Sequence, residues 1–181
     1  MCQDIGTPGL AGSETYAGKV WNVRAADVGI GGVSDQLRLI TQRLQGDTQI
    51  RARVLTQKAA QAGLMLRQTN DASSPNYSVF LTKSGEVVVQ YRTAFGGQTI
   101  IAGQRIKASS PLYLEIQRRG DEFWAATSTD GVMFTAVPGS AVEMIMPETV
   151  LGGLAVSSSN SETQETAVYS AVTIGPPTRT K

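Results

Sequence analysis

Histidine is absent from the 181-residue chain, and its absence excludes several kinds of chemistry. A chain without histidine has no Ser-His-Asp or Cys-His catalytic arrangement and no zinc site built on imidazole. The commonest general base near neutral pH is missing as well. Any catalysis would therefore rest on carboxylates, tyrosine, lysine or a metal.

Cysteine, charge and long apolar runs are also scarce. Cys2 is the only cysteine, so no internal disulfide can form. Charged residues make up 17% of the chain, and 16 basic against 15 acidic residues leave a formal net charge of +1. Such a balance does not steer a protein to nucleic acid, and no apolar run reaches the ~20 residues that span a bilayer. We expect neither nucleic-acid binding nor membrane insertion.

Glycine, by contrast, is plentiful, with 19 residues, and the stretch Pro111–Val137 shows how it is used. Apolar runs with a period of two alternate there with Gly-Asp and Asp-Gly pairs, which favour tight turns between antiparallel strands. The stretch predicts three strands and two turns: Leu112–Arg118, Glu122–Ser128 and Val132–Val137, joined by Arg119-Gly120-Asp121 and Thr129-Asp130-Gly131.

The same pattern recurs along the chain. We predict roughly a dozen strands at spacings of 8–12 residues, which is typical of a β-sandwich or barrel. The exceptions are an irregular edge segment over Cys2–Tyr16 and a short helical turn over Lys58–Ala62. We predict an all-β protein, a two-sheet antiparallel β-sandwich.

The length fits one domain, which we assign to residues 1–175. Residues 176–181 form a C-terminal tail or the start of a linker, as expected of a domain cut from a longer chain. No basic region followed by an apolar stretch marks a signal peptide at the N-terminus, so whether Met1 is the natural start stays open.

Several segments in this order carry a family resemblance. They are Trp21-Asn22-Val23, Asp35-Gln36-Leu37, Gly46–Val54, Ala62–Arg67, Pro111–Arg118, Thr127–Gly131 before Phe134, and Gly152–Ser158. Together they resemble the concanavalin A-like lectin/glucanase superfamily, and within it the bacterial "regulator of enolase"-like domain of unknown function. The resemblance implies a jelly roll with a concave face on which relatives often bind glycans. Phe134 stands where many relatives carry tryptophan after the Asp-Gly turn.

Candidate glycan-binding residues are aromatic or polar side chains on predicted strands, because a flat ring matches the apolar face of a sugar. They are Arg67, Tyr91, Tyr113, Glu115 and Trp124. Strand alternation puts Tyr113 and Glu115 opposite a Leu/Ile face that should be core. The alternatives stay open, since strand aromatics often serve packing and Arg67 could be a structural arginine paired with Asp or Glu.

The acidic residues decide whether the sequence predicts catalysis or calcium binding. Glycosidases of the superfamily carry closely spaced acidic residues on one strand, whereas Glu115 here is followed two positions later by Gln117. We therefore expect no enzyme activity. Oxygen ligands for a Ca²⁺ ion, which relatives often bind at the sandwich rim, could come from Asp27, Asp35, Asp47, Asn70-Asp71 and Asn76.

These observations lead to a functional hypothesis. We expect an extracytoplasmic, non-catalytic accessory module that binds a glycan or polysaccharide on its concave sheet. Replacing Tyr113 and Trp124 together with alanine should abolish binding while the fold survives. The alternative is a protein-interaction, structural or sensor module of a longer chain, and a glycoside hydrolase is the third choice.

Overall fold

The protein is a sandwich of two antiparallel β-sheets, as predicted. The structure, a computed structural model, describes residues 1–178. Within that range it contains sixteen strands and no helix. None of the described residues forms a helix that is long and apolar enough to cross a membrane.

The strands are numbered in chain order. Their bounds are β1 Cys2–Ile5, β2 Leu10–Ala17, β3 Val20–Ala26, β4 Leu37–Gln45, β5 Thr48–Gln57, β6 Gln61–Arg67, β7 Asn76–Thr82, β8 Glu86–Arg92, β9 Ile100–Ile101, β10 Ile106–Lys107, β11 Leu112–Arg119, β12 Glu122–Ser128, β13 Thr135–Ala136, β14 Val142–Glu143, β15 Thr149–Ser157 and β16 Glu165–Gly175.

Each sheet has eight strands. The first sheet runs in the order β1-β4-β15-β6-β7-β8-β10, and β9 also pairs with β8. The second runs β13-β12-β11-β5-β16-β3-β2, and β14 also pairs with β12. Neighbours in space are often distant in sequence, as where β16 pairs with both β5 and β3. This connectivity brings the two sheets face to face around the main core, and a smaller apolar cluster lies on the other face of the first sheet.

Period-two alternation decides which side chains enter that core. On β11, Leu112, Leu114 and Ile116 point inward and are buried. Ile50 and Ala52 on β5 lie opposite the last two of these and are fully buried as well. The residues between them point to the outer face of the second sheet. The predicted assignment of faces on these strands is confirmed.

Two adjacent glycines on β15 mark a close backbone approach. A Cβ atom at Gly153 would lie 1.9 Å from the carbonyl oxygen of Ile40, and one at Gly152 would lie 2.4 Å from Cδ1 of Leu44. A larger residue at Gly153 would therefore push the backbone of β4 away, and one at Gly152 would displace side chains of the core. Both positions need glycine because of space rather than because of a turn.

The predicted strand Val132–Val137 is wrong for most of its length, since only Thr135–Ala136 is strand. The carboxylate of Asp130 explains the difference. Its Oδ1 accepts hydrogen bonds from the backbone N–H groups of Val132 at 2.8 Å and Met133 at 2.9 Å. Those groups are therefore engaged in an Asx-type turn and cannot pair with a strand.

Two further predictions about local structure are also wrong. Cys2–Tyr16 is not irregular, because β1 pairs with β4 in the first sheet and β2 pairs with β3 in the second. Lys58–Ala62 forms no helical turn, because the chain enters β6 at Gln61 and pairs there with β7 and β15. Each segment has one distant partner, β4 for β1 and β15 for β6, and such pairing is not visible in a local pattern.

Candidate binding face

Three of the five predicted site residues share the outer face of the second sheet. Tyr113 and Glu115 lie on β11, and Trp124 lies opposite Gln117 on β12. Strand β5 completes the surface from the other side of β11. We call this surface the candidate face; it consists of Gln49, Arg51, Arg53, Tyr113, Glu115, Gln117, Arg119, Trp124 and Phe134.

Glu115 is the buried acceptor at the centre of the candidate face. Its side chain is only 2% exposed and forms an ion pair with Arg51. Gln49 Nε2 donates to one carboxylate oxygen at 3.1 Å, and Gln117 Nε2 donates to the other at 2.6 Å. The carboxylate is thus saturated by three neighbours, and its role is to hold those side chains in place.

Arginines on the candidate face lie over aromatic rings. The guanidinium carbon of Arg51 is 4.1 Å from the ring centroid of Phe134, and that of Arg53 is 5.4 Å from the centroid of Tyr113. The guanidinium carbon of Arg119 lies 5.5 Å from the centroid of Trp124. Contacts at these distances are cation–π interactions, which fix a flexible arginine against a rigid ring.

The ring of Tyr113 is covered on its outer side by a turn. A Cβ atom at Gly131 would lie 2.7 Å from Cζ of Tyr113, so the glycine backbone rests directly on the ring. The hydroxyl of Ser128 shapes this turn by accepting the N–H of Gly131 at 2.9 Å. With Arg53 also against it, the ring offers little free surface on which a sugar could stack.

The C-terminal segment crosses one side of the candidate face. The N–H of Thr178 donates to Oε1 of Gln49 at 2.8 Å, and its carbonyl accepts from Nη2 of Arg119 at 2.9 Å. Its hydroxyl lies 3.4 Å from Nη2 of Arg51. These contacts engage Gln49, Arg51 and Arg119 and leave the end of the face around Arg53 uncrossed. The remainder of the predicted tail, residues 179–181, lies outside the described residues.

Arg67 does not join the candidate face. It lies on β6 in the first sheet and is fully buried, with Nη1 3.4 Å from Oδ2 of Asp35. Arg92 on β8 is also fully buried, and its Nη2 lies 2.8 Å from Oδ1 of the same carboxylate. Together they tie the loop after β3 and the loop after β6 to the sheet. This is the structural pairing that the sequence left open for Arg67.

Tyr91 also lies apart from the other candidates. It shares one face of β8 with Val87 and Val89. Those two valines are buried in the core between the sheets, and Tyr91 packs against that core. Its side chain points away from the outer surfaces of the molecule. The structure thus brings together Tyr113, Glu115 and Trp124 and separates them from Arg67 and Tyr91.

The predicted calcium ligands are dispersed or already engaged. Within residues 1–178, no three histidine, cysteine or acidic side chains gather as a metal site. Asp35 is paired with the two buried arginines, Asp47 Oδ1 accepts the N–H of Gly120 at 2.7 Å, and Asp71 Oδ1 accepts from Ser73. These donors do not fit one shared Ca²⁺ ion.

Asp27 differs from the other acidic residues. Its side chain is fully buried, and neither carboxylate oxygen has a hydrogen-bond partner among the described residues. Burial raises the pKa of Asp27 to about 6, and the nearby carboxylate of Asp4 acts in the same direction. A buried carboxylate favours its neutral form when nothing compensates its charge.

The sequence interpretation missed the arginines of the candidate face. Alternation on β5 already put Gln49, Arg51 and Arg53 opposite the core side chains. What it did not reveal is that β5 pairs with β11, which sets Arg53 beside Tyr113 and Arg51 beside Glu115. The signal for a site was present only once the two strands, some sixty residues apart, were placed side by side.

A separate groove lies at one end of the sandwich. It has a volume of about 690 Å³, and among its lining residues are Tyr16, Lys19, Trp21, Gln42 and Ile174. The rings of Tyr16 and Trp21 are tilted by 34° to each other, with their centroids 4.6 Å apart. The groove thus has an aromatic wall at the edge of the second sheet that is opposite β12 and β13.

Comparison with solved structures identifies the fold. A functionally unknown protein from Saccharomyces cerevisiae superposes with a TM-score of 0.71 at 10% identity, over 98% of this chain and 97% of that one. The carbohydrate-binding module CBM66 from Bacillus subtilis gives a TM-score of 0.60 at 16% identity, covering 93% of both chains. The chain has a concanavalin A-like jelly-roll fold.

Enzymes share this fold with binding modules. A prokaryotic β-1,3-1,4-glucanase (lichenase) from a mouse hindgut metagenome superposes with a TM-score of 0.55 at 13% identity, over 91% of this chain and 83% of that one. No family model matches the chain, and no functionally curated protein matches it in sequence. The superfamily-level resemblance is confirmed as a fold, and the "regulator of enolase"-like branch stays a prediction.

Proposed function

We propose that this domain is a non-catalytic accessory module that binds glycan on the candidate face. The observation that carries the proposal is the set of arginines held over aromatic rings around the buried carboxylate of Glu115. Guanidinium groups are planar donors that suit sugar hydroxyls and carboxylates, and partly exposed rings suit the apolar faces of sugars.

The fold supports carbohydrate binding in general and does not point to a particular site. CBM66, by its name a carbohydrate-binding module, covers nearly the whole chain in superposition. The lumenal domain of VIP36, solved with Ca²⁺ and a mannose-containing glycan, also shares the fold at a TM-score of 0.50. Fold alone does not carry function, so the proposal rests on the side chains of the candidate face.

The carboxylates of the candidate face argue for binding rather than hydrolysis. Glu115 is saturated by Arg51, Gln49 and Gln117 and is almost inaccessible. Glu122 lies on the same face of β12, but it pairs in register with Arg119, four residues from Glu115 along β11. At about 3.3 Å per residue the Cα atoms of the two residues are separated by roughly 13 Å along the strands. Glycosidases hold their two carboxyl groups within about 9.5 Å.

A glycan array and affinity electrophoresis with soluble polysaccharides, each with and without Ca²⁺, test the proposal. We expect retardation by at least one polysaccharide, weakened about tenfold by Trp124→Ala through loss of the partly exposed ring and of its contact with Arg119. Tyr16→Ala is the matched control, because it removes an exposed aromatic residue outside the candidate face. Equal losses in the two variants, or a loss in the control alone, would place the site elsewhere.

The groove beside Tyr16 and Trp21 favours a second candidate function, a protein-interaction module. The exposed ring of Tyr16 and the partly buried ring of Trp21 line this groove and suit an apolar side chain of a partner. Under this alternative, the whole glycan panel stays silent. Self-association or partner capture, measured by size-exclusion chromatography with light scattering, is then lost in Tyr16→Ala and retained in Trp124→Ala.

The proposal extends to location. We propose an extracytoplasmic domain attached to a longer chain, because polysaccharides that an accessory module would hold are found outside the cell. Fractionation of source cells with an antibody against the domain checks this. Recovery in the cytoplasmic fraction alone would contradict the extracytoplasmic part and leave the binding experiment unaffected.

A further inference from the structure

Positive charge on the candidate face is concentrated on β5 and at the end of β11. Arg51, Arg53 and Arg119 project from the face, and the acidic residues on the same side are Glu115 on β11, Glu122 on β12 and Glu143, which pairs with Glu122 from β14. Glu122 and Glu143 lie at the end of β12 that is remote from Arg53. Glu115 pairs with Arg51. Among the described residues, neither Arg53 nor Arg119 forms an ion pair with a carboxylate.

Arg53 is the arginine whose donors are least satisfied. Its Nε–H is buried, and no residue in the range 1–178 accepts a hydrogen bond from it. In register it lies between Tyr113 on β11 and Ser170 on β16. A buried donor without an acceptor costs about 1–3 kcal/mol, and native proteins contain few of them. The Nε–H itself is closed to a ligand, so recognition at Arg53 has to use the Nη groups at the end of its guanidinium.

The surroundings of Arg53 favour recognition through charge over recognition through stacking. One side of the Tyr113 ring is taken by the backbone of Gly131, and the guanidinium of Arg53 lies against the same residue. Phe134 is likewise partnered, by Arg51 at 4.1 Å. A neutral sugar ring therefore finds little free aromatic surface here, whereas the guanidinium groups remain able to donate.

Arg51 and Arg53 place two positive charges close together on the candidate face. They are two residues apart on one strand, so their side chains leave the same face of β5 about 7 Å apart. One carboxylate, that of Glu115, already balances Arg51. A second carboxylate would balance Arg53 and could accept two parallel N–H donors from its planar group.

We propose that Arg53 binds the carboxylate of an acidic, uronate-type sugar, so that the candidate face selects acidic over neutral polysaccharides. This inference rests on the proposed glycan-binding function and specifies its substrate class. Arg51, placed by Glu115, sets the neighbouring positive charge. The carboxylate of the sugar accepts from the Nη groups of Arg53.

Isothermal titration calorimetry with a matched pair of probes tests the inference. The first probe is an oligogalacturonate, and the second is the same oligosaccharide after its carboxyl groups have been reduced to alcohols. We expect the acidic probe to bind about tenfold tighter or more, which is the effect of one charge-assisted hydrogen bond. The preference should shrink as salt rises, because exposed charges are screened.

Variants assign the preference to one residue. Arg53→Gln should remove the preference for the acidic probe, and Arg53→Lys should keep part of it, since lysine keeps the charge and loses the planar fork. Arg43→Gln makes the same change of charge at an exposed arginine on β4 in the other sheet and should leave the preference intact. Thermal melting of each variant confirms that it is folded.

The outcomes separate this inference from the proposed function. Equal binding of the two probes, or an acidic preference that survives Arg53→Gln, overturns the inference and leaves glycan binding standing. Binding of neutral polysaccharides alone also overturns the inference and leaves glycan binding standing. No binding to either probe or to any polysaccharide in the wider panel overturns both. Acidic preference that disappears in Arg53→Gln and not in Arg43→Gln supports both.

Discussion

Replacing Asp35 with asparagine should destabilise the fold more than any other single change of charge within residues 1–178. The carboxylate of Asp35 is fully buried and accepts hydrogen bonds from Arg92 at 2.8 and 3.0 Å. Arg67 lies 3.4 Å from one oxygen, and Asn76 Nδ2 donates to that oxygen at 3.2 Å. Asparagine keeps the shape of the side chain and removes its charge.

The loss of unfolding free energy in Asp35→Asn follows from the groups that the substitution leaves without a partner. Two guanidinium groups would remain fully buried without an anion, and the new amide N–H₂ would meet donors where an acceptor was needed. Removal of one partner from a buried ion pair costs about 3–5 kcal/mol. Since whole domains are stable by about 5–15 kcal/mol, the loss is a large share of the total.

Urea denaturation at pH 7, followed by tryptophan fluorescence, measures this loss. With a slope of roughly 2 kcal/mol per molar urea, the midpoint should fall by about 2 M. Asp121→Asn is the matched control. Asp121 is exposed in the turn between β11 and β12, so the same chemical change there should cost less than about 0.5 kcal/mol.

A second variant keeps the reasoning testable if Asp35→Asn does not fold. Arg67→Met removes one of the two cations and leaves Asp35 with Arg92, so that one positive charge still faces one negative charge. Arg67→Met should therefore be less destabilising than Asp35→Asn. The electrostatic argument is refuted if Asp35→Asn costs less than about 1 kcal/mol, or if Arg67→Met is the more damaging of the two.

Three further predictions concern single side chains. Since burial raises the pKa of Asp27 to about 6 from an ordinary 3.8, the folded state loses stability as pH rises through that interval. Asp27→Asn should therefore raise the melting temperature by about 2–4 °C at pH 8 in EDTA and by nothing at pH 4, whereas a pH-independent shift would contradict this origin. Gly153→Ala should cost about 3 kcal/mol or more in urea denaturation, because its Cβ would lie 1.9 Å from the carbonyl oxygen of Ile40. Gly175→Ala meets no atom within 4 Å and should cost less than about 0.5 kcal/mol, so similar losses would undermine the steric argument. Tyr169→Phe removes a buried hydroxyl that bonds a backbone carbonyl of the facing sheet at 3.1 Å and should cost about 1 kcal/mol by the same assay, with no change refuting the bond's contribution.

Local sequence pattern was sufficient for the hairpin of β11 and β12. Alternation placed Leu114 in the core and Glu115 outside it, and the Gly120 turn was recognisable from its residues alone. The same pattern failed between Asp130 and Thr135, where a side chain captured backbone N–H groups that a strand would have used. Side-chain capture of this kind depends on exact geometry, which residue type alone does not supply.

The candidate site was only partly predictable. Tyr113, Glu115 and Trp124 lie on adjacent strands joined by one turn, so their common face followed from alternation and hairpin geometry. Arg67 and Tyr91 are likewise polar or aromatic residues on strands, so from the sequence alone they were equally plausible as site residues. Their separation from the site depends on which sheet each strand enters and on which side of it faces the core, and neither is encoded near the residue.

Sequence by itself therefore determined the all-β class, the alternation of faces and the exclusion of histidine chemistry, because those properties depend on composition and on near neighbours. The tertiary structure decided that Arg67 and Arg92 are buried around Asp35 and that Arg53 is left beside Tyr113 with a buried, unpartnered Nε–H. Both arrangements arise from pairing between strands far apart in the chain. The charge that a guanidinium faces is set by those distant partners, whereas its own residue type sets only what it can donate.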